Sequence, residues 1–179
     1  MFSPKKSSIS DKNQLEDIIQ QINDHRDKAI IDLIAKTGIY LDELKTLTRK
    51  SLSDKDKVLK ITGKRKRTIK LSDDSIALIK NWVSMRPKAD HDYLFTSLTG
   101  KFQPLSSRGV DHILRKWSQK LNVDMNYLKL RNISATIEKQ FDSKKDAIKQ
   151  LSTDSANKKR IGLALIILSL VIKLFRNKD

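Results

Sequence analysis

Apolar residues recur along this chain with a helical period, then gather in a short strand-like run, then return to the helical period. Leu15, Ile18, Ile19 and Ile22 share one helix face behind Ser10 or Asp11, either of which can cap it. A second helical pattern spans about 26–36, with Ala29, Ile30, Leu33 and Ile34 on one side and Gly38 as its stop. A short helix is expected over 41–47. Val58, Leu59 and Ile61 then predict a strand over 57–62, Gly63 to Arg67 a turn, and 68–71 a returning strand. Asp73 or Asp74 is expected to cap a helix carrying Ile76, Leu78, Ile79, Trp82 and Val83, which Pro87 stops. Tyr93, Leu94 and Phe95 read as a short buried segment. Ser106 or Ser107 opens a helix with Val110, Ile113, Leu114 and Trp117 inward. Further helices are expected over 127–141 and 143–151. The predicted class is α+β, mostly α, with a small β-hairpin or sheet.

Two stretches depart from this amphipathic scheme. Residues 1–9 are polar and basic and are expected to be flexible. Residues 161–172 are apolar all round, so a helix there must be buried against something. Packing on its own domain, packing on a neighbouring copy, a short tail anchor, and a decayed end without a selected role all suit it. A helix over 161–175 reaches about 22 Å, against about 30 Å for a bilayer core, and Lys173 interrupts it. The chain therefore divides into a basic leading segment with its first helix (1–24), a central domain (25–157) and an apolar C-terminal helix (158–179).

Charge narrows the function. The formal net charge is +16 over 179 residues, which suits a polyanionic partner, nucleic acid or an anionic membrane surface. The excess is clustered: residues 45–70 hold eleven Lys and Arg against Asp54 and Asp56. A second cluster comprises Arg108, Arg115, Lys116 and Lys120. Cysteine is absent, and His25, His91 and His112 are scattered, so no metal site is expected and no cofactor is implied. The N-terminus lacks the apolar run of a signal peptide.

Ordered motifs carry a more specific signal. Thr37-Gly38-Ile39-Tyr40-Leu41-Asp42-Glu43-Leu44 resembles the T-G-x-R-x-x-E-L box of the tyrosine recombinase (phage integrase, Xer-type) family, with Tyr40 in the place of its arginine. Leu128-Lys129-Leu130-Arg131-Asn132 resembles the H-x-L-R-H box, keeping Arg131 and losing both histidines. Between them lie a hairpin with a Gly63-Lys64 turn and Leu94-Phe95-Thr96-Ser97, which resembles the family's L-F-x-S segment. The resemblance covers roughly 25–157 and implies the family's catalytic-domain fold.

In such enzymes two arginines clamp the scissile phosphate, a hairpin lysine protonates the leaving hydroxyl, histidines assist and a tyrosine attacks. The resemblance assigns Arg131 and Lys64 as remnant catalytic positions. The hairpin turn is about two residues shorter than the family's G-K-G-x-K-x-R. Tyr40 is neutral and cannot replace a bidentate guanidinium. Leu128 and Asn132 cannot shuttle protons near neutral pH. The family's later G-H or G-W falls near Thr153 and Asp154, the nucleophile position falls near Leu163, and no tyrosine follows Tyr127. Tyr127, one helical turn before Arg131, is in the wrong place for in-line attack.

The expected protein is thus a catalytically inactive binder of double-stranded DNA with an integrase-like fold. Lys64, Arg65, Lys66, Arg67, Arg108, Arg115 and Lys116 are its expected DNA contacts. Self-association through the C-terminal helix, a cytoplasmic place at the nucleoid and, as the alternative, membrane association through 161–175 complete the expectation. An atypical active recombinase and a membrane-tethered basic adaptor are the competing readings.

Overall fold

The computed structural model describes residues 6–9, 12–98 and 102–136. The expected helix over 143–151, the end of the one over 127–141, the apolar run 161–175 and positions Thr153, Asp154 and Leu163 lie outside the described residues. In chain order the elements are β1 (Ser7–Ser8), α1 (Lys12–Gln21), α2 (His25–Thr37), α3 (Leu41–Thr46), β2 (Leu52–Ser53), β3 (Val58–Ile61), β4 (Arg67–Lys70), α4 (Asp73–Met85), α5 (Ser107–Lys120) and β5 (Val123–Asp124). Residues 127–136 are helical and are called α6.

The core is built around α2. Ile30, Ile31, Leu33 and Ile34 are all fully buried, where each contributes about 1.5–3 kcal/mol of transfer free energy. Burial on more than one side is what a central helix requires. It packs chiefly on α4 and also on α1, whose Leu15, Ile18 and Ile19 belong to the same core. Asp24 starts α2 by accepting the Asp27 N–H at 2.9 Å. Gly38 ends it in the left-handed region, φ 59° and ψ 26°, and donates its N–H to the Ile34 carbonyl at 2.9 Å.

The segment after α3 forms a three-stranded antiparallel sheet in the order β2-β3-β4. The hairpin pairs Ile61 with Arg67, so residues 62–66 form its tip. α4 anchors the segment of buried Leu94 and Phe95, beside a half-buried Tyr93, through Trp82, whose indole N–H donates to the Leu94 carbonyl at 2.8 Å.

Two sequence expectations need correction. Neither Asp73 nor Asp74 caps α4. Ser72 does, accepting the Ser75 N–H at 3.2 Å, and the two aspartates sit in the first turn, where negative charge suits the helix dipole. Nor is the leading segment flexible throughout. Ser7 and Ser8 pair in parallel with Val123 and Asp124, and Lys6 Nζ donates to Ser118 Oγ at 2.9 Å.

Candidate functional site

The turn between α2 and α3 is held from several directions. Gly38 lets the chain reverse, Ile39 is fully buried, and Tyr40 stands at the N-terminus of α3. Glu43 Oε2 accepts the Tyr40 backbone N–H at 3.0 Å, which fixes the backbone carrying the ring. α6 grips the same turn with two side chains one helical turn apart. Arg131 Nε donates to the Gly38 carbonyl at 3.2 Å and the Tyr127 hydroxyl to the Ile39 carbonyl at 3.2 Å.

Tyr40 is the centre of a cationic cluster. The Arg131 Cζ lies 3.7 Å from its ring centroid. From the hairpin, Arg65 Cζ lies at 4.4 Å and Arg67 Cζ at 5.6 Å. Each such cation–π contact is worth about 0.5–1 kcal/mol at exposed sites. Two carboxylates temper the charge. Arg65 donates to Asp42 Oδ2 at 2.8 Å and Arg67 to the buried Glu43 Oε2 at 2.8 Å. Three guanidiniums thus meet two carboxylates and one aromatic face, leaving positive charge in excess. Desolvation, which raises the Asp42 pKa, is outweighed by the hydrogen bond and charge of Arg65 together with main-chain hydrogen bonds from Asp42 and Glu43, so the carboxyl sits below its ordinary range.

Tyr127 is poorly suited to nucleophilic work. Burial raises its pKa above the ordinary phenol value, and the charge of Arg131 only partly opposes this. Its hydroxyl proton is engaged by a main-chain carbonyl, with no base aimed at it in the described contacts. Leu128, at the first lost histidine, is 66 % exposed. Asn132 is also exposed.

The remaining sequence-nominated residues occupy two regions. Lys64, Arg65, Lys66 and Arg67 are all exposed at or beside the hairpin tip. Arg65 and Arg67, rather than Lys64, reach the Tyr40 ring. Arg108, Arg115 and Lys116 project from the exposed side of α5, and His112, Arg115, Lys116, Gln119 and Lys120 line one open depression there. Lys116 differs from its neighbours because its ammonium is 2.9 Å from Asp27 Oδ2, a carboxylate that it shares with Arg26.

That aspartate is a feature the sequence reading missed. Asp27 is fully buried. Its Oδ1 accepts Arg26 Nε at 3.0 Å and an Arg26 terminal nitrogen at 2.7 Å. Its Oδ2 accepts Lys116 Nζ and the Trp117 indole N–H, both at 2.9 Å. Burial alone would raise its pKa, but the hydrogen bonds from Lys116, Trp117 and Arg26, with the Arg26 charge, bring it below the ordinary value. Arg26 also donates to the Thr96 carbonyl at 3.1 Å. The cluster therefore ties the start of α2 to α5 and to the segment before it. An aspartate in a first helical turn normally reads as exposed, so the sequence carried no signal for it.

Among the described residues there is no cluster of side chains suited to a metal ion. Among them, too, no helix is long and apolar enough to cross a membrane.

Comparison with known proteins places these features in context. The model of the phage integrase family matches residues 9–151. The tyrosine recombinase XerC of Psychromonas ingrahamii is 31 % identical over 141 residues, covering 74 % of this chain and 46 % of the relative. The XerC of Escherichia coli is 32 % identical over 142 residues, covering 74 % and 46 %. The chain thus spans about half the length of the curated relatives it matches. Among solved structures, the XerA recombinase aligns with a TM-score of 0.66 at 19 % identity, covering 76 % of this chain and 50 % of that one. The XerH site-specific recombinase bound to its difH substrate aligns at 0.63 with 21 % identity, covering 88 % and 50 %. These likenesses establish the catalytic-domain fold of tyrosine recombinases.

Proposed function

The chain belongs to the phage integrase family, and from that premise we propose that it is a DNA-binding protein with the recombinase catalytic-domain fold and without DNA-cleaving activity. The observation that carries this reading is the state of the first arginine box. Its backbone frame is intact, from the Gly38 turn to the Glu43 bond on Tyr40, yet an aromatic ring occupies the arginine position. A frame kept without its clamp supports phosphate binding and withholds one of the two guanidiniums that stabilise charge on a transferring phosphate. The second box supports the same reading: Arg131 holds the turn, while Leu128 and Asn132 offer no acid–base group. The phenol of Tyr127 is tied to Ile39.

The partner in this reading is double-stranded DNA, met through Lys64 to Arg67 at the hairpin and Arg108 and Arg115 on α5. Such contacts neutralise backbone phosphates and give salt-dependent affinity with little sequence information. The protein would work in the cytoplasm at the nucleoid. Residues 25–157 would carry the DNA-contacting domain, and 158–179 a helix for self-association.

The test pairs a DNA-binding titration with a suicide-substrate assay on nicked duplexes. The expected result is binding that weakens steeply with salt and no denaturant-resistant protein–DNA band. A covalent band would restore the reading as an active recombinase, and absence of binding at low salt would remove DNA as the partner.

A further inference from the structure

We propose that Tyr40 is a positioning residue which gathers Arg65, Arg67 and Arg131 into a single phosphate-binding cluster. The proposal rests on the DNA-binding reading above and adds to it a residue that has no charge of its own. Arg65 and Arg67 come from the hairpin, and Arg131 comes from α6. Nothing in local sequence brings these three together. The Tyr40 ring does, with their Cζ atoms at 4.4, 5.6 and 3.7 Å from its centroid.

The physics follows from mutual repulsion. Three guanidiniums this close repel one another, and an isolated basic hairpin tip would hold its side chains apart in solvent. A π face attracts each cation through its quadrupole without neutralising it. Asp42 and Glu43 hold Arg65 and Arg67 from beneath through single contacts at 2.8 Å each. A guanidinium has five N–H donors, so these contacts leave donors for an incoming phosphate. Arg131 likewise spends its Nε on the Gly38 carbonyl. An arginine at position 40 would have supplied one guanidinium directly; the tyrosine instead recruits two from the hairpin. The ligand this suits is one backbone phosphate of a duplex, held by planar donors from two elements. Because the ring faces are engaged by cations, Tyr40 does not serve as a stacking platform for a base.

The experiment measures the salt dependence of affinity for a short fluorescein-labelled duplex, using the full chain and its Tyr40→Phe, Tyr40→Trp and Tyr40→Leu variants. Leucine keeps apolar bulk and lacks the quadrupole, so a purely structural role would leave it similar to phenylalanine. The expected outcome is a wild-type slope in the phenylalanine and tryptophan variants. The leucine variant should show a log–log slope shallower by about 1, equal to one lost phosphate contact. In an Arg65→Ala/Arg67→Ala background the leucine substitution should then have little further effect. Equal slopes for Tyr40→Leu and wild type, or a phenylalanine variant as impaired as the leucine one, would overturn the proposal. Should Tyr40→Leu fail to fold, the exposed tip decides. Arg65→Ala/Arg67→Ala is expected to flatten the slope more than Lys64→Ala/Lys66→Ala, and equal losses would overturn it. If the wild-type chain binds no duplex, the DNA-binding reading itself falls and takes this proposal with it. Binding by wild type with equal slopes removes this proposal alone.

Discussion

Replacing Asp27 with asparagine keeps the shape of the side chain and removes its charge. In the folded protein that carboxylate accepts four hydrogen bonds, two from Arg26, one from Lys116 and one from Trp117, and has no exposure to solvent. An amide offers one acceptor oxygen. Its NH2 must therefore face either the Arg26 fork or the Lys116 and Trp117 donors, which places donor against donor. It also leaves the Arg26 guanidinium, about as buried as the core side chains around it, without a counter-charge. Removing one partner of a buried ion pair costs about 3–5 kcal/mol. Because asparagine keeps part of the bonding, about 3 kcal/mol is expected, which lowers the melting temperature by about 10 °C for a domain of this size. The pH dependence sharpens the test. The folded pKa of Asp27 is depressed, so its contribution is present above the unfolded carboxyl value and is lost as pH falls through the folded one. The variant should therefore lose stability at neutral pH and show a flatter acid limb. Urea denaturation followed by tryptophan fluorescence suits the question because Trp117 belongs to the network. A loss under about 1 kcal/mol with an unchanged acid limb would refute the reasoning.

Other outcomes follow from single features. Gly38→Ala should destabilise the fold by about 2 kcal/mol, because φ is +59° and a Cβ there would meet Ser134 Oγ at 2.5 Å; thermal melting checks it. Tyr127→Phe should cost about 1 kcal/mol through the lost bond to the Ile39 carbonyl, with salt-dependent DNA binding retained. Truncation after Asn157 should change association state, read by light scattering, and leave the circular dichroism of the remaining domain intact. Recovery of the intact protein in a carbonate-resistant membrane fraction would favour a tail anchor instead.

Much of the scaffold was legible because its signals are local. The helical spacing of Ile30, Leu33 and Ile34, the stop at Gly38 and the short apolar run of Val58, Leu59 and Ile61 before the Gly63 turn each declare an element from neighbouring residues. The cap of α4 was misassigned because Ser72, Asp73 and Asp74 are adjacent residues that all favour helix starts. Long-range features were not legible. A two-serine strand has no periodicity to read, and its partner lies at Val123. The sequence showed that Tyr40 replaces an arginine, but not that Arg65 and Arg67 fold back onto its ring. In sequence Lys116 is one of several equivalent surface cations, whereas in the fold its ammonium sits on Asp27.

The pairing of β1 with β5 has a kinetic meaning. Ser7 donates its side-chain hydroxyl to the Asn122 carbonyl across 115 residues, so the contact closes a loop that contains nearly every other described element. Loop closure of that length costs chain entropy that a two-residue ladder, exposed on its β1 side, cannot offset alone. The ladder therefore depends on the rest of the fold being in place, and amide exchange at Ser7 and Ser8 is expected to be faster than in the α2 core. Its exchange with solvent occurs beside the helix that carries Arg131.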